Sequence, residues 1–305
     1  MIHLIPTEAK RFRTFGWVQD PSDFRSLCDV VAIFDETSLK HQELAGQVIP
    51  ALVKEQDGRQ RLLDALNQRP LRISYADLVG TSFTPRSAAR CNGIVQAAVR
   101  GQVRPFIGDW PADNFVRWAH ALGFLRYGYQ GDAFELTETG RALAQARTQG
   151  EELNSQEKEL LTSAVLAYPP AVRILSLLGE GEGAHLTKFE LGKQLGFVGE
   201  DGFTSLPQTV LVRSLASSKD AKEKNKMKTD WDGSSDKYAR MIAKWLEKLG
   251  LVKQTAKSVT VTLAGRKYTE PIGQSYVITG LGIIALTELS AKAGISGFLK
   301  MYPLK

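Results

Sequence analysis

Two stretches decide how this chain folds. One is Phe115-Val-Arg-Trp118-Ala-His-Ala-Leu122-Gly123-Phe124-Leu125; the other is Ala239-Arg-Met-Ile-Ala-Lys-Trp245-Leu-Glu-Lys-Leu249-Gly250-Leu251-Val252. Each ends an amphipathic helical run with Trp-x-x-x-Leu-Gly and two apolar residues. The glycine supplies a left-handed cap that stops the helix, and the apolar pair opens a strand. A short polar turn and a second strand are expected next. Phe134-Glu-Leu-Thr137-Glu-Thr-Gly140 follows the first copy and Val259-Thr-Val-Thr262-Leu-Ala-Gly265 the second. A third Thr-x-x-Gly, Thr279-Gly-Leu-Gly282, closes the second module. Helix, hairpin and a Thr-x-x-Gly exit form the pattern of a winged helix. Its recurrence predicts a mainly α chain with short β-wings, built as two tandem winged-helix (helix-turn-helix) subdomains.

The flanking sequence fits that plan. Ser74-Tyr-Ala-Asp-Leu-Val-Gly80 reads as the short first helix of a helix-turn-helix, stopped by glycine. The segment from Cys91 to Arg100 reads as the next helix, with Ile94, Val95, Ala98 and Val99 on its buried face. In the second module Leu186-Thr-Lys-Phe-Glu-Leu-Gly-Lys-Gln-Leu-Gly196 is a helix with Thr187 as N-cap, and residues 206–216 supply another. Asn154-Ser-Gln-Glu157 is a capping box that opens the second domain. The boundary is expected near residue 150, in the polar run Arg147-Thr-Gln-Gly-Glu-Glu152. Residues 1–150 then form the first module with an N-terminal arm, and residues 151–285 form the second. Residues 286–305 begin a linker or third subdomain.

Composition narrows the partner. The 305 residues, 43% hydrophobic and 24% charged, suit folded domains, and the net charge of +6 favours polyanions: nucleic acid or an anionic membrane. Two cysteines and four scattered histidines offer no zinc-ligand spacing. The first ten residues are too short in apolar run for a signal peptide, and the apolar segment from Tyr276 to Leu289 is too short for a membrane span. Nucleic acid is therefore the favoured partner and a membrane is not expected. Helix-turn-helix modules place a helix N-terminus in the major groove. The alternative is a winged helix used for protein contacts.

Catalytic signals are thin. Asp220-Ala-Lys222 has the acid-x-lysine spacing of a Mg²⁺-dependent nuclease but lies in the lysine run Lys219–Lys228, not on a strand. That run either touches phosphate or is a solvated loop. Tyr168-Pro-Pro-Ala171 lacks the polar first residue and aromatic last residue of a methyltransferase loop. Gly179-Glu-Gly-Glu-Gly183 is too acidic to cradle phosphate and reads as a turn. The aromatics Phe12, Phe15 and Trp17 interleave with Lys10, Arg11 and Arg13, as in an arm along DNA or an N-terminus anchored on the first module.

Longer words carry a family resemblance. They include Arg13-Thr-Phe-Gly-Trp-Val-Gln-Asp-Pro21, Arg117-Trp-Ala-His-Ala-Leu-Gly-Phe124, Tyr168-Pro-Pro-Ala-Val-Arg-Ile-Leu175, His185-Leu-Thr-Lys-Phe189, Gly199-Glu-Asp-Gly-Phe-Thr-Ser-Leu-Pro207 and Gly233-Ser-Ser-Asp-Lys-Tyr-Ala-Arg-Met241. In these blocks the chain resembles the N-terminal DNA-recognition region of the FokI/StsI-like type IIS restriction endonucleases. The resemblance implies recognition of the asymmetric duplex site 5′-GGATG-3′ by a monomer, in the bacterial cytoplasm. It also implies cleavage outside the site by a C-terminal nuclease domain, absent from this chain, which would use Mg²⁺; no cofactor is expected in the chain itself. The family's base-contacting positions fall on Gln19, Asp20, Arg86, Gln102 and Trp110 in the first module and on Thr229, Asp232, Lys237 and Arg240 in the second. Asp20 and Thr229 stand where the family pattern has asparagine, and Asp232 where it has glutamate. Arginine and lysine suit the O6/N7 edge of guanine, and aspartate accepts from the cytosine amino group. Read without the family, Lys237 and Arg240 also fit a solvated helix face or phosphate contacts. A free-standing winged-helix regulator, or a specificity partner without a nuclease, is the rival functional expectation.

Overall fold

The computed structural model describes residues 4–5, 13–14, 23–81, 90–128, 131–180, 184–195, 216–224 and 237–293. The chain divides into two compact units, Met1–Ala164 and Val165–Lys305.

The first unit opens with the paired strands β1 (Leu4–Ile5) and β2 (Arg13–Thr14). Helices α1 (Phe24–Ala32), α2 (Leu39–Glu43), a π-helical turn (Leu44–Val48), α3 (Ile49–Leu52) and α4 (Gln56–Asn67) follow. Then come β3 (Ile73–Ser74), α5 (Tyr75–Val79), α6 (Ile94–Ala98), α7 (Asp109–Ala121), β4 (Leu125–Gly128), β5 (Ala133–Leu136), α8 (Glu138–Ala146) and α9 (Ser155–Leu166). The second unit holds α10 (Pro169–Gly179), β6 (Leu186–Thr187), α11 (Lys188–Leu195), α12 (Lys237–Lys248), β7 (Val252–Leu263), β8 (Arg266–Ile278) and α13 (Gly280–Ala293).

Among the described residues one order underlies both: helix, two-residue strand, short helix, further helical residues (α6 in the first unit, 216–217 and 221–224 in the second), long helix, hairpin, helix. The sheets are ordered β3-β5-β4 and β6-β8-β7, all antiparallel. In each, the short strand pairs with the returning arm of the hairpin, Ile73 opposite Phe134 and Leu186 opposite Tyr276. The chain is thus mainly helical with two small three-stranded sheets, a pair of winged helices in series.

The repeated words make the same joint twice. Gly123 and Gly250 take φ of 77° and 76°, a region that favours glycine. Phe124 N donates to Ala119 O (2.9 Å) and Gly123 N to His120 O (3.0 Å). Leu251 N donates to Leu246 O (2.8 Å) and Gly250 N to Glu247 O (2.9 Å). This crossed pair is a Schellman cap, which satisfies carbonyls the helix end would otherwise expose. Thr137 Oγ1 donates back to Gly123 O (2.7 Å) and accepts from Gly140 N (2.9 Å). Thr279 Oγ1 donates to Gly250 O (2.7 Å) and accepts from Gly282 N (3.1 Å). The counterpart of Thr137-x-x-Gly140 is therefore Thr279-x-x-Gly282. Thr262-Leu-Ala-Gly265 instead forms the end of β7 and a two-residue hairpin turn, with Ala264 and Gly265 at φ of 47° and 74°. Two consecutive positive φ values match the turn that follows a strand's right-handed twist.

Both tryptophans are fully buried. Trp118 packs on Phe24 and Phe115, with ring centroids 5.0 and 6.2 Å apart; Trp245 packs on Tyr168 at 5.9 Å. The capping box at Asn154 forms, with Asn154 N donating to Glu157 and Glu157 N to Asn154, both at 2.8 Å. Its glutamate is fully buried and receives Arg25 from α1, Nη1 to Oε2 at 3.1 Å. That ion pair joins the start of α9 to α1 within the first unit, which runs to Ala164. Thr187 and Glu190 cap α11 reciprocally, Thr187 N to Glu190 Oε2 at 2.7 Å. Residues 206–215 lie outside the described residues.

Candidate nucleic-acid interface

Helix α12 is apolar on one side and cationic on the other. Ala239, Met241, Ile242, Ala243, Trp245 and Leu246 are buried, while Arg240, Lys244 and Lys248 are exposed. Steps of four residues align these three cations, and Lys237 opens the helix three residues before Arg240. Among the described residues no carboxylate pairs with Arg240, Lys244 or Lys248. Their charge is left facing outward, and at the N-terminal end the helix dipole adds to it. Such a stripe suits a polyanion and a guanine edge alike.

Helix α7 occupies the equivalent place in the first unit. Counting back from the repeated tryptophans, Trp110 matches Lys237 and Asp113 matches Arg240. Trp110 is 37% exposed in the first turn of α7. Asp113 is fully buried. It accepts from Tyr75 Oη and from Arg117 Nε, both at 2.7 Å, and Arg117 is itself buried. The trio joins α5 to α7, so the position that displays a cation in the second unit is a structural clamp in the first. Burial, then the Asp113 charge and its hydrogen bond, push the Tyr75 hydroxyl far above its usual pKa.

The loop before α7 displays further polar and apolar groups. Gln102 is exposed and Val103 is 94% exposed. The loop's ends are pinned: Ile107 N donates to Gln96 O (3.2 Å), and any Cβ on Gly101 would lie 2.4 Å from Phe106 O. The corner between α5 and α6 is equally tight. Gln96 Nε2 donates to Val79 O (2.8 Å), and Asn92 Oδ1 accepts from Thr81 N (2.9 Å). α6 itself is five residues long and almost wholly buried, which makes α7 the helix that precedes the wing.

Of the residues singled out in the sequence, Gln102, Trp110 and Arg240 are thus exposed, and Lys237 begins α12. Gln19, Asp20, Arg86, Thr229 and Asp232 lie outside the described residues. Val103, Lys244 and Lys248 join the set. The lysines were signalled by their four-residue spacing from Arg240, whereas nothing local marks Val103. Asp220 caps a helical turn, its carboxylate accepting from Lys222 N at 2.9 Å. No single described helix is long and apolar enough to cross a membrane.

The wings differ in length and charge. In the first unit the four-residue strand β4 carries Arg126, which pairs with Glu135 on β5; Glu135 also receives Arg72, from just before β3. In the second, strands of twelve and thirteen residues carry exposed Lys253, Arg266 and Lys267, which among the described residues form no ion pair.

With this geometry, residues 13–146 match the family described as FokI, recognition domain, subdomain 1, and residues 157–293 match FokI, recognition domain, subdomain 2. The chain belongs to the FokI recognition-domain family. It is 46% identical over 279 residues to the type II restriction enzyme FokI of Planomicrobium okeanokoites, covering 90% of this chain and 47% of that protein. It is 33% identical over 284 residues to the type II restriction enzyme StsI of Streptococcus sanguinis, covering 92% of this chain and 46% of that one. The solved structure of FokI bound to DNA superposes with a TM-score of 0.80 at 45% identity, over 92% of this chain and 48% of that chain. A second solved FokI structure superposes with a TM-score of 0.77 at 44% identity, over 93% and 47%. The chain spans about half the length of these relatives.

Proposed function

We propose that this chain reads duplex DNA at one asymmetric site, 5′-GGATG-3′, with both winged-helix modules, as the recognition part of a type IIS restriction endonuclease. The observation that carries the reading is the exposed cationic face of α12, for which no carboxylate partner occurs among the described residues, in a chain that matches both FokI recognition subdomains. Lys237 and Arg240 present cations to the O6/N7 edge of guanines, while Lys244 and Lys248 meet phosphates farther along the helix. Asp232 accepts from the amino group of an opposing cytosine. In the first module Arg86 takes a guanine, the Gln102 amide offers paired donor and acceptor, and Trp110 packs on the groove floor. Asp20 accepts only, which suits a cytosine amino group or a bridging water, and Thr229 sets a methyl against thymine or bonds a phosphate. Two unlike modules on one asymmetric site need no two-fold partner, so the chain binds as a monomer. Cleavage outside the site, with Mg²⁺, belongs to a C-terminal nuclease domain of the whole protein.

Competition between the site and its single-base variants tests this. Lys237→Ala and Arg240→Ala should each lose roughly 1–3 kcal/mol of discrimination at a guanine. Equal weakening on every sequence would move both residues to the phosphate backbone and overturn the assigned readout.

A further inference from the structure

We propose that the β7–β8 ribbon is a second DNA grip, whose basic tip holds phosphates outside the base pairs read by α12. This rests on the recognition reading above and extends it to flanking DNA.

The ribbon is far longer than the fold needs. The third strand, β6, pairs only at its base, with Ser275 and Tyr276. Beyond that base β7 and β8 stay paired with each other as far as Leu263 and Arg266. Its direction is set by α12. The strand leaves the helix end at Gly250 and doubles back, so that Gln254 N donates to Glu247 Oε1 (3.2 Å). Tyr276, opposite Gln254 in the register, feels the charge of Arg240, two turns nearer the helix start. From Gln254 to Leu263 the strand rises about 30 Å at roughly 3.3 Å per residue. From Glu247 back to Lys237 the helix spans only about 15 Å at roughly 1.5 Å per residue. Less what the register shift between Ala256 and Ser258 takes up, the tip therefore reaches up to about 15 Å past the N-terminus of α12, beyond the end of the helix that enters the groove.

What the tip carries fits a phosphate backbone. Thr262, Ala264, Gly265, Arg266, Lys267 and Thr269 are all exposed, so none serves the core. Arg266 and Lys267 open β8 directly after a tight turn with small residues, Ala264 and Gly265, at its apex, which lets a rigid edge approach closely. The first module's wing is shorter, with four-residue strands, and its Arg126 is paired with Glu135.

The test uses Arg266→Ala/Lys267→Ala and two duplexes, one with ten base pairs on each side of the site and one with two. On the long duplex the double variant should bind roughly tenfold more weakly at low salt, on the site and on single-base variants alike. Its salt slope should fall by about two, one for each phosphate no longer neutralised. On the short duplex variant and wild type should bind equally. An unchanged thermal midpoint shows that the fold is intact, as expected at an exposed hairpin turn. Wild-type preference for the site with an unaffected double variant would overturn the ribbon's grip alone. So would loss of discrimination at one base, which would make the tip a base reader. Wild-type protein with no preference for the site would overturn the recognition reading and the ribbon's role with it.

Discussion

Five residues before its repeated tryptophan, the first module carries Asp113 and the second carries Arg240. The joints around them are nearly superimposable in their hydrogen bonds: the same Schellman cap, the same threonine strap, the same glycine under the strap. Yet Asp113 is buried and clamps Tyr75 and Arg117, while Arg240 is exposed and among the described residues has no carboxylate partner. A frame held by backbone bonds leaves the helix face free to diverge. One module uses that freedom to fasten its own helices and shows its outside through Gln102, Val103 and Trp110. The other turns the same face into a cationic stripe and extends its wing.

The sharpest way to break this contrast is to remove both residues of the pair in turn. Asp113→Ala leaves the buried Arg117 cation without its carboxylate and should cost about 3–5 kcal/mol, measured by urea unfolding. Arg240→Ala, at the equivalent position, should stay within about 0.5 kcal/mol of wild type in the same measurement. Equal stability losses at the two sites would end the claim that one position has two jobs.

Next come the glycines beneath the straps. A Cβ on Gly140 would sit 2.1 Å from Phe124 O, and one on Gly282 2.1 Å from Leu251 O. Gly140→Ala and Gly282→Ala should each destabilise by roughly 1–3 kcal/mol, because a backbone carbonyl cannot step aside cheaply. A smaller and again matched loss, about 1 kcal/mol, is expected for Thr137→Ala and Thr279→Ala. Calorimetry on the four variants checks whether the frame is equivalent in energy as it is in geometry. A loss in one module without the other would show that the shared bonds do not carry shared weight.

A last contrast concerns pH. Burial pushes the Cys28 thiol up to about 12 and the Cys91 thiol to about 11, from 9.0, and raises the Tyr75 hydroxyl further still. All three lie in the first unit. There the folded state keeps protons that the unfolded state gives up above pH 9, so stability is intact below that value and falls as pH rises toward 12. Thermal unfolding at pH 8 and pH 10.5 should show the loss, and Cys28→Ala should lessen it. A midpoint unchanged between the two pH values would contradict the burial of these groups.

Much of the frame was legible because it is local. Trp-x-x-x-Leu-Gly specifies a helix stop within one turn, and Asn154 and Thr187 announce caps that form as written. The wing was harder. Thr-x-x-Gly occurs after Val261 as well as after Ile278, and only strand register shows which one straps the helix end. Local words do not record how far a hairpin runs before it returns. The clamp at Asp113 was invisible for a related reason: its partner Tyr75 lies 38 residues upstream, and an aspartate in a helix reads as solvent-facing until that partner is placed. At the candidate interface Arg240 and Lys237 rested on family resemblance. The structure adds that Arg240 is exposed and that among the described residues no carboxylate pairs with it.

Selection of bound duplexes from a random pool tests the account most directly. Both modules reading one asymmetric site predicts a single five-base-pair consensus, 5′-GGATG-3′, bound by one chain. A consensus that keeps the guanines and changes the A·T pairs would place the departure at Asp20 or Thr229. A palindromic consensus, or one unrelated to GGATG, would contradict it.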